Sequence, residues 1–317
     1  MTRTALLLLC LLAAPAAPAA AQPVADTVQL AVPGGILHGT LLRPAGAGPY
    51  PVALILAGSG PTDRDGNNPF GGHNDSLRKL AEGLAEHGVA SIRFDKRGVA
   101  ASIDAGPDEY DLRFDTYVDD AARWLRRLRA DRRFSRVVVV GHSEGSLIGM
   151  IAARAGRAHG FVSLAGLGSR PGIVFRAQIR ESSPSVASSA DSIFTLLEAG
   201  QLVRRVPPDL EFVFRRSVQP YFISLLRRDP VREIVRLRVP VLLVQGTADI
   251  QVPADEVQLL ARALPRARVL LLEGMNHILV EAPMDRAGNM ATYNEPARPL
   301  APGLVEAVAA FAAAGAR

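Results

Sequence analysis

Six short runs of almost continuous apolar residues recur along the chain, and stretches of helical period fall between them. The runs are PVALILAG (51–58), VASIRFD (89–95), RVVVVGH (136–142), GFVSLAG (160–166), VPVLLVQG (239–246) and RVLLLEG (268–274). Apolar positions repeat with helical spacing over about 75–87, 115–130, 144–157, 254–263 and 302–314. Strands that are apolar on both sides must be covered on both faces, so this alternation predicts a mostly parallel sheet between two helical layers, an α/β three-layer sandwich. Upstream, VQLAVPG and ILHGTLLRP flank Pro33-Gly34-Gly35 and predict an antiparallel hairpin.

One gap breaks the rhythm. Positions 167–237 separate two strands that would otherwise need a single short crossover, and compact domains rarely hold a structureless loop of that length. ADSIFTLLEAG and YFISLLRRD within it have helical patterns. The expectation is one catalytic domain over 22–317 with a mainly helical cap inserted at about 167–237.

The first residues, MTRTALLLLCLLAAPAAPAAAQ, place Arg3 before an apolar run that Pro15 and Pro18 interrupt after about ten residues. A membrane anchor needs about 20 apolar residues, so residues 1–21 are expected to be a cleaved signal peptide, with export to the periplasm or medium and no stable membrane anchor. The sole cysteine, Cys10, lies inside this leader, and Leu9 before it is not the small residue of a lipoprotein site. The exported chain would then contain no disulfide.

The formal charge of +5 and a pI near 9.8 raise the question of nucleic acid. The distribution answers it. Of 36 basic residues only Lys79 and Lys96 are lysines, and the arginines are scattered among 31 acids. The densest run, 126–133, follows Trp124 and Leu125 at helical spacing and is expected to be the solvated end of a helix, where positive charge suits the macrodipole. No nucleic-acid partner is expected.

Candidate chemistry centres on RVVVVGHSEGS. Gly141-His142-Ser143-Glu144-Gly145 follows a strand and precedes a helix, the context in which G-x-S-x-G holds a serine on a sharp, exposed turn. A serine hydroxyl needs a hydrogen-bonded base. His277, in LEGMNHILVEAP beyond the last strand, is the histidine placed to swing over the sheet edge. His38 falls in the hairpin, His87 and His159 close helical segments, His73 follows a Gly-rich loop, and His142 is expected to point away from the site. The acid should follow a strand between serine and histidine, which selects Asp249 in VPVLLVQGTADIQVP, with Glu273 as the runner-up. For the oxyanion, LILAGSGPTDRDG supplies the amide of Ser59 beside that of Glu144. Asp63, Asp65 and Asn67 imitate the start of a calcium loop, but Asn68 and Asn74 stand where glycine and glutamate are required, so neither metal nor cofactor is implied.

The motifs AGSGPTDRDGN, RFDKRGVAAS, GHSEGS, QGTADIQVP and EGMNHILVEAP, in this order over about 28–314, resemble bacterial α/β-hydrolases of the serine aminopeptidase-like and esterase or acyl-hydrolase branch. The resemblance implies the α/β-hydrolase fold, the triad Ser143, Asp249 and His277, and oxyanion donors at Ser59 and Glu144. Ala100 departs from it, since relatives carry glycine there. The leading expectation is a hydrolase of small-molecule carboxylic esters acting through an acyl-enzyme. The alternatives are an aminopeptidase or amidase with the same triad and a binding protein whose catalysis has lapsed. The balance of eleven arginines against seven acids over 167–237 disfavours a cationic substrate.

Overall fold

The computed structural model describes residues 22–106 and 108–315; the expected leader at 1–21 lies outside them. Eight strands, β1 (Val24–Val32), β2 (Gly35–Arg43), β3 (Tyr50–Leu56), β4 (Ala90–Phe94), β5 (Phe134–His142), β6 (Gly160–Leu164), β7 (Val241–Gly246) and β8 (Arg268–Leu272), form one sheet in the order β1-β2-β4-β3-β5-β6-β7-β8. The first hairpin is antiparallel and β2 runs antiparallel to β4. All other neighbours are parallel.

The continuous apolar runs are explained by the two cores. Val52, Leu54, Val137 and Val139 point to one face, where they meet Trp124 and Leu125 of α2 (Phe114–Ala130) and Leu147 of α3 (Glu144–Ala155). Their neighbours Ala53, Ile55, Val138 and Val140 point to the other, against Leu77, Leu80 and Leu84 of α1 (Ser76–Glu86) and Leu304 and Val308 near the C-terminus. Each fully buried side chain of this size contributes about 1.5–3 kcal/mol. RVLLLEG is different. As β8 it forms the sheet edge, and Val269 and Leu271 are exposed there.

Between β6 and β7 lie α4 (Pro171–Ser182), α5 (Ala187–Glu198), α6 (Pro208–Phe214), α7 (Gln219–Leu226) and α8 (Pro230–Ile234). The two patterned segments are α5 and α7. Phe194, Leu197, Leu210 and Phe214 give this insert a core of its own. The remaining helices are α9 (Ala254–Ala263), α10 (Arg286–Ala291) and α11 (Leu304–Ala313). Among the described residues no helix is long and apolar enough to cross a membrane.

Strand order reverses at β3, which has β4 on one side and β5 on the other. In open α/β sheets the crevice beyond the carboxyl ends of strands at such a switch point is where ligands bind. The loops after β3 and β5 meet there. Ala100 adopts φ 44°, the left-handed conformation that glycine takes freely and that costs an L-residue about 1–2 kcal/mol. The departure noted at this position is therefore a strained alanine.

Candidate active site

β5 ends at His142 and α3 begins at Glu144, which leaves Ser143 alone to turn the chain. Its backbone lies at φ 54°, ψ −124°, a conformation that costs a residue bearing a side chain about 1–3 kcal/mol. Close packing holds it there. A Cβ on Gly141 would collide with the Gly145 carbonyl, and one on Gly145 would lie 2.6 Å from the Ala57 carbonyl. The Ser143 N–H donates to the Leu164 carbonyl at 2.9 Å. Its half-buried side chain stands at the start of α3, whose first amides have no acceptor within the helix.

His277 and Asp249 come from the loops after β8 and β7. His277 Nδ1 lies 2.9 Å from Asp249 Oδ2, and both residues are buried. Gln245 Nε2 donates to the same oxygen at 3.1 Å, while Oδ1 accepts from the N–H groups of Gln251 and Val252 at 2.8 and 2.9 Å. A carboxylate held by so many donors cannot rotate. With a carboxylate as partner, Nδ1 carries the proton and Nε2 keeps its lone pair. The two loops can meet because position 246 is glycine, where a Cβ would run into the Met275 carbonyl. Asn276 Nδ2 donates to Thr292 Oγ1 at 2.9 Å and to Asn289 Oδ1 at 3.2 Å, and Asn289 Nδ2 donates to the Ala248 carbonyl at 2.8 Å. The segment bearing the imidazole is thereby tied to the residue before the acid.

His142 does not point away. Its ring lies 4.8 Å from that of His277, and its Nε2–H donates to the His277 carbonyl at 2.8 Å. The reason is the strand period: His142 shares the face of Val138 and Val140, which is the face that Met275 and Leu279 of the returning loop cover. Burial and the His277 ring push its pKa down to about 3, so it serves as a neutral donor.

The loop after β3 closes the other side. A Cβ on Gly58 would lie 3.2 Å from that of Ser143, and among the described residues no protein group accepts from the Ser59 N–H. Behind this loop sits Lys96, buried, its Nζ donating to the carbonyls of Gly58 and, at 2.8 Å, Gly60. Burial pushes its ammonium down to about 8, and the nearby Glu144 partly offsets that. The Glu144 carboxyl is buried too, and accepts from the Tyr221 hydroxyl at 2.7 Å. Burial raises its pKa, while Lys96 and the Tyr221 hydrogen bond lower it. Beside Ser59 and Glu144 opens a cavity of about 870 Å³, with Tyr117, Phe175, Phe194, Tyr221 and Phe222 among its walls.

Residues 36–289, which include Ser59, Lys96, Ser143, Glu144, Asp249 and His277, match the model of the alpha/beta hydrolase family. The chain belongs to the alpha/beta hydrolase family. Esterase EstD of Thermotoga maritima is 30% identical to it over 249 residues, covering 77% of this chain; the chain spans 58% of that relative's length. Two solved structures share the family fold. Est1E of Butyrivibrio proteoclasticus with ferulic acid bound has 15% identity and a TM-score of 0.57 over 90% of this chain and 96% of its own. The esterase domain of a Rhodothermus marinus protein has 17% identity and a TM-score of 0.53 over 91% and 98%.

Within this hydrolase fold, Asp249 and His277 are in direct contact, and the Ser59 loop and Ser143 pack together. Glu273 makes no hydrogen bond to His277 among the described residues. Asp63, which imitated a calcium ligand, closes a turn by accepting from the N–H groups of Asp65 and Asn67 at 2.9 and 2.8 Å. The residues that sequence reasoning missed are those behind the site: Lys96, Gln245, Asn276 and Asn289. Lys96 alone left a signal, being one of two lysines in a chain that otherwise uses arginine.

Proposed function

We propose that this chain is a serine esterase whose triad is Ser143, His277 and Asp249. The observation that carries the reading is the 2.9 Å contact between His277 Nδ1 and Asp249 Oδ2, with the His277 ring packed on His142, the residue before a strained serine at the start of a helix. His277 Nε2 takes the Ser143 proton as Oγ attacks the ester carbonyl carbon. The negative charge that develops on the carbonyl oxygen is met by the N–H groups of Ser59 and Glu144. The tetrahedral intermediate collapses to the acyl-enzyme, with His277 protonating the departing alkoxide, and water activated by the same imidazole then releases the acid. The esterase name of the Thermotoga maritima relative supports this chemistry.

The cavity supports esters over aminoacyl amides. Binding a substrate ammonium in a partly desolvated site calls for a free carboxylate. The acids lining this cavity are Glu109 and Glu144. Glu109 accepts from Arg215 Nε at 2.8 Å and from Ser217, and Glu144 faces Tyr221 and Lys96. Asp209 and Glu211 do not line it. This argument is stronger than the +4 balance of the insert, because Arg176, Arg180, Arg228 and Arg236 are all engaged in ion pairs. Ser59 and Glu144 line the cavity whereas Ser143 and His277 do not, so it can hold the far end of a substrate whose carbonyl sits at Ser143.

The expected result is a specificity constant for nitrophenyl esters well above those for alanyl- and prolyl-nitroanilides. An anilide preferred over every ester tested would overturn the esterase reading. The leader pattern at 1–21 supports action outside the cytoplasm, which N-terminal sequencing of the exported protein checks: a mature end near residue 22 is expected.

A further inference from the structure

No step of this reaction uses Lys96, although it is charged at neutral pH and buried directly behind the site. We propose that Lys96 is the positioning residue of the oxyanion site, aiming and polarising the Ser59 N–H through the Gly58–Ser59 peptide. The inference rests on the reading of Ser59 as an oxyanion donor. The Gly58 carbonyl and the Ser59 N–H belong to one planar trans peptide and point in opposite directions. Fixing the oxygen on an ammonium therefore fixes where the N–H points. The same ammonium holds the Gly60 carbonyl, in the Gly60–Pro61 peptide, at 2.8 Å, and the Ser59 carbonyl between them accepts from Thr62 Oγ1 at 2.7 Å, so the Gly58–Ser59 peptide does not flip freely. Hydrogen bonds from a charged donor are about twice as strong as neutral ones, and polarising the carbonyl strengthens the bond that its own amide donates on the far side.

The surroundings of Lys96 are built for this task. On one side Asp95 accepts from Arg64 N–H at 2.8 Å and from its guanidinium at 2.6 Å; on the other Arg97 is locked to Asp120 by bonds of 2.6 and 2.8 Å. The lysine stem thus leaves a rigid base. Its ammonium lies 5.5 Å from the centre of the Tyr117 ring, a further favourable contact for a cation. A guanidinium is a wide planar fork, whereas an ammonium is a compact charge that fits between two converging carbonyls. That accounts for a lysine here in a chain of arginines. Glu144 completes the arrangement: when ionised, its buried carboxylate, next to its own candidate amide donor, would repel an oxyanion, and Lys96 supplies the opposing charge.

Lys96→Met keeps the length of the side chain and removes the charge and donors. For a nitrophenyl ester, kcat is expected to fall about a hundredfold, the scale of a lost oxyanion donor, with KM changed less than about threefold. Affinity for a boronic acid that mimics the tetrahedral intermediate should fall by the same factor as kcat. The double variant Lys96→Met with Glu144→Gln leaves no lone buried carboxylate, so it keeps the test valid if the single variant folds poorly. It should recover the thermal midpoint without recovering kcat. Recovery of kcat in the double variant would overturn the proposal, since Lys96 would then act only by neutralising Glu144. Wild-type kcat in Lys96→Met, or a loss carried by KM alone, would overturn it as well. Failure of the esterase reading is seen separately, as wild-type turnover that survives Ser143→Ala.

Discussion

The two sides of Ser143 are made of different material. On the His277 side the proposed working groups are side chains in direct contact, with Asp249 held by Gln245 and by two amides of its own loop. On the Ser59 side they are main-chain N–H groups, and the side chains of Lys96, Glu144 and Tyr221 stand behind them. A side chain can be deleted without moving the chain. A backbone donor cannot, and its aim depends on whatever pins the carbonyl at its back. The first side is therefore broken at the reacting group itself, the second only from behind.

The largest effect is expected where the two sides meet. Ser143→Ala should lower turnover about a million-fold while the fold persists, because triad members act as a unit and what remains comes from the amides and from binding. A fluorophosphonate probe should label the wild type at Ser143 and leave the variant unlabelled. Labelling at another residue would place the nucleophile elsewhere.

Asp249→Asn tests the side-chain half, with an expected loss of about 10⁴ in turnover. The surroundings dictate how the amide settles. Its oxygen stays with the N–H groups of Gln251 and Val252, which turns its NH₂ toward His277 Nδ1 and toward Gln245 Nε2. A donor facing Nδ1 forces the proton onto Nε2, the wrong tautomer for a base. Glu273→Gln should change turnover less than about twofold. The reverse ranking would show the acid to be misassigned.

The same division explains what the sequence made legible. Strands β3 to β7 stood out because both of their faces are buried, which removes polar residues from the run. The proposed triad stood out because side-chain chemistry has letters of its own: a serine between two glycines, and an acid and a histidine each just past a strand. The proposed oxyanion loop was signalled only by its glycines, and the lysine behind it was missed, since a residue whose partners are carbonyls leaves no motif. Helices α4, α6 and α8 of the insert were missed for another reason. Each begins with proline, at Pro171, Pro208 and Pro230. Proline signals a break in a sequence, yet at the first position of a helix its missing N–H costs nothing. His142 was misjudged because the face it shares with Val138 and Val140 gains its cover from a loop more than a hundred residues away.

His142 supplies the smallest expected effect, and it sharpens the side-chain half without touching the reacting atoms. Its folded pKa of about 3 lies below the ordinary 6.5. Between those values the unfolded chain takes up a proton that the folded chain refuses, so stability falls as pH drops through this window and is unaffected above it. The slope is at most one proton, about 1.4 kcal/mol per pH unit. Other titrating groups add slopes of their own, and the difference between two proteins isolates this one. His142→Gln keeps an N–H donor for the His277 carbonyl and removes the titration. Denaturant unfolding at several values between pH 7 and pH 4 should therefore show the variant losing stability less steeply than the wild type, with the two lines parallel above pH 7. Parallel lines throughout would mean that the His142 ring takes up its proton in the folded protein as readily as in the unfolded chain, and that the His277 loop does not rest on a ring held neutral.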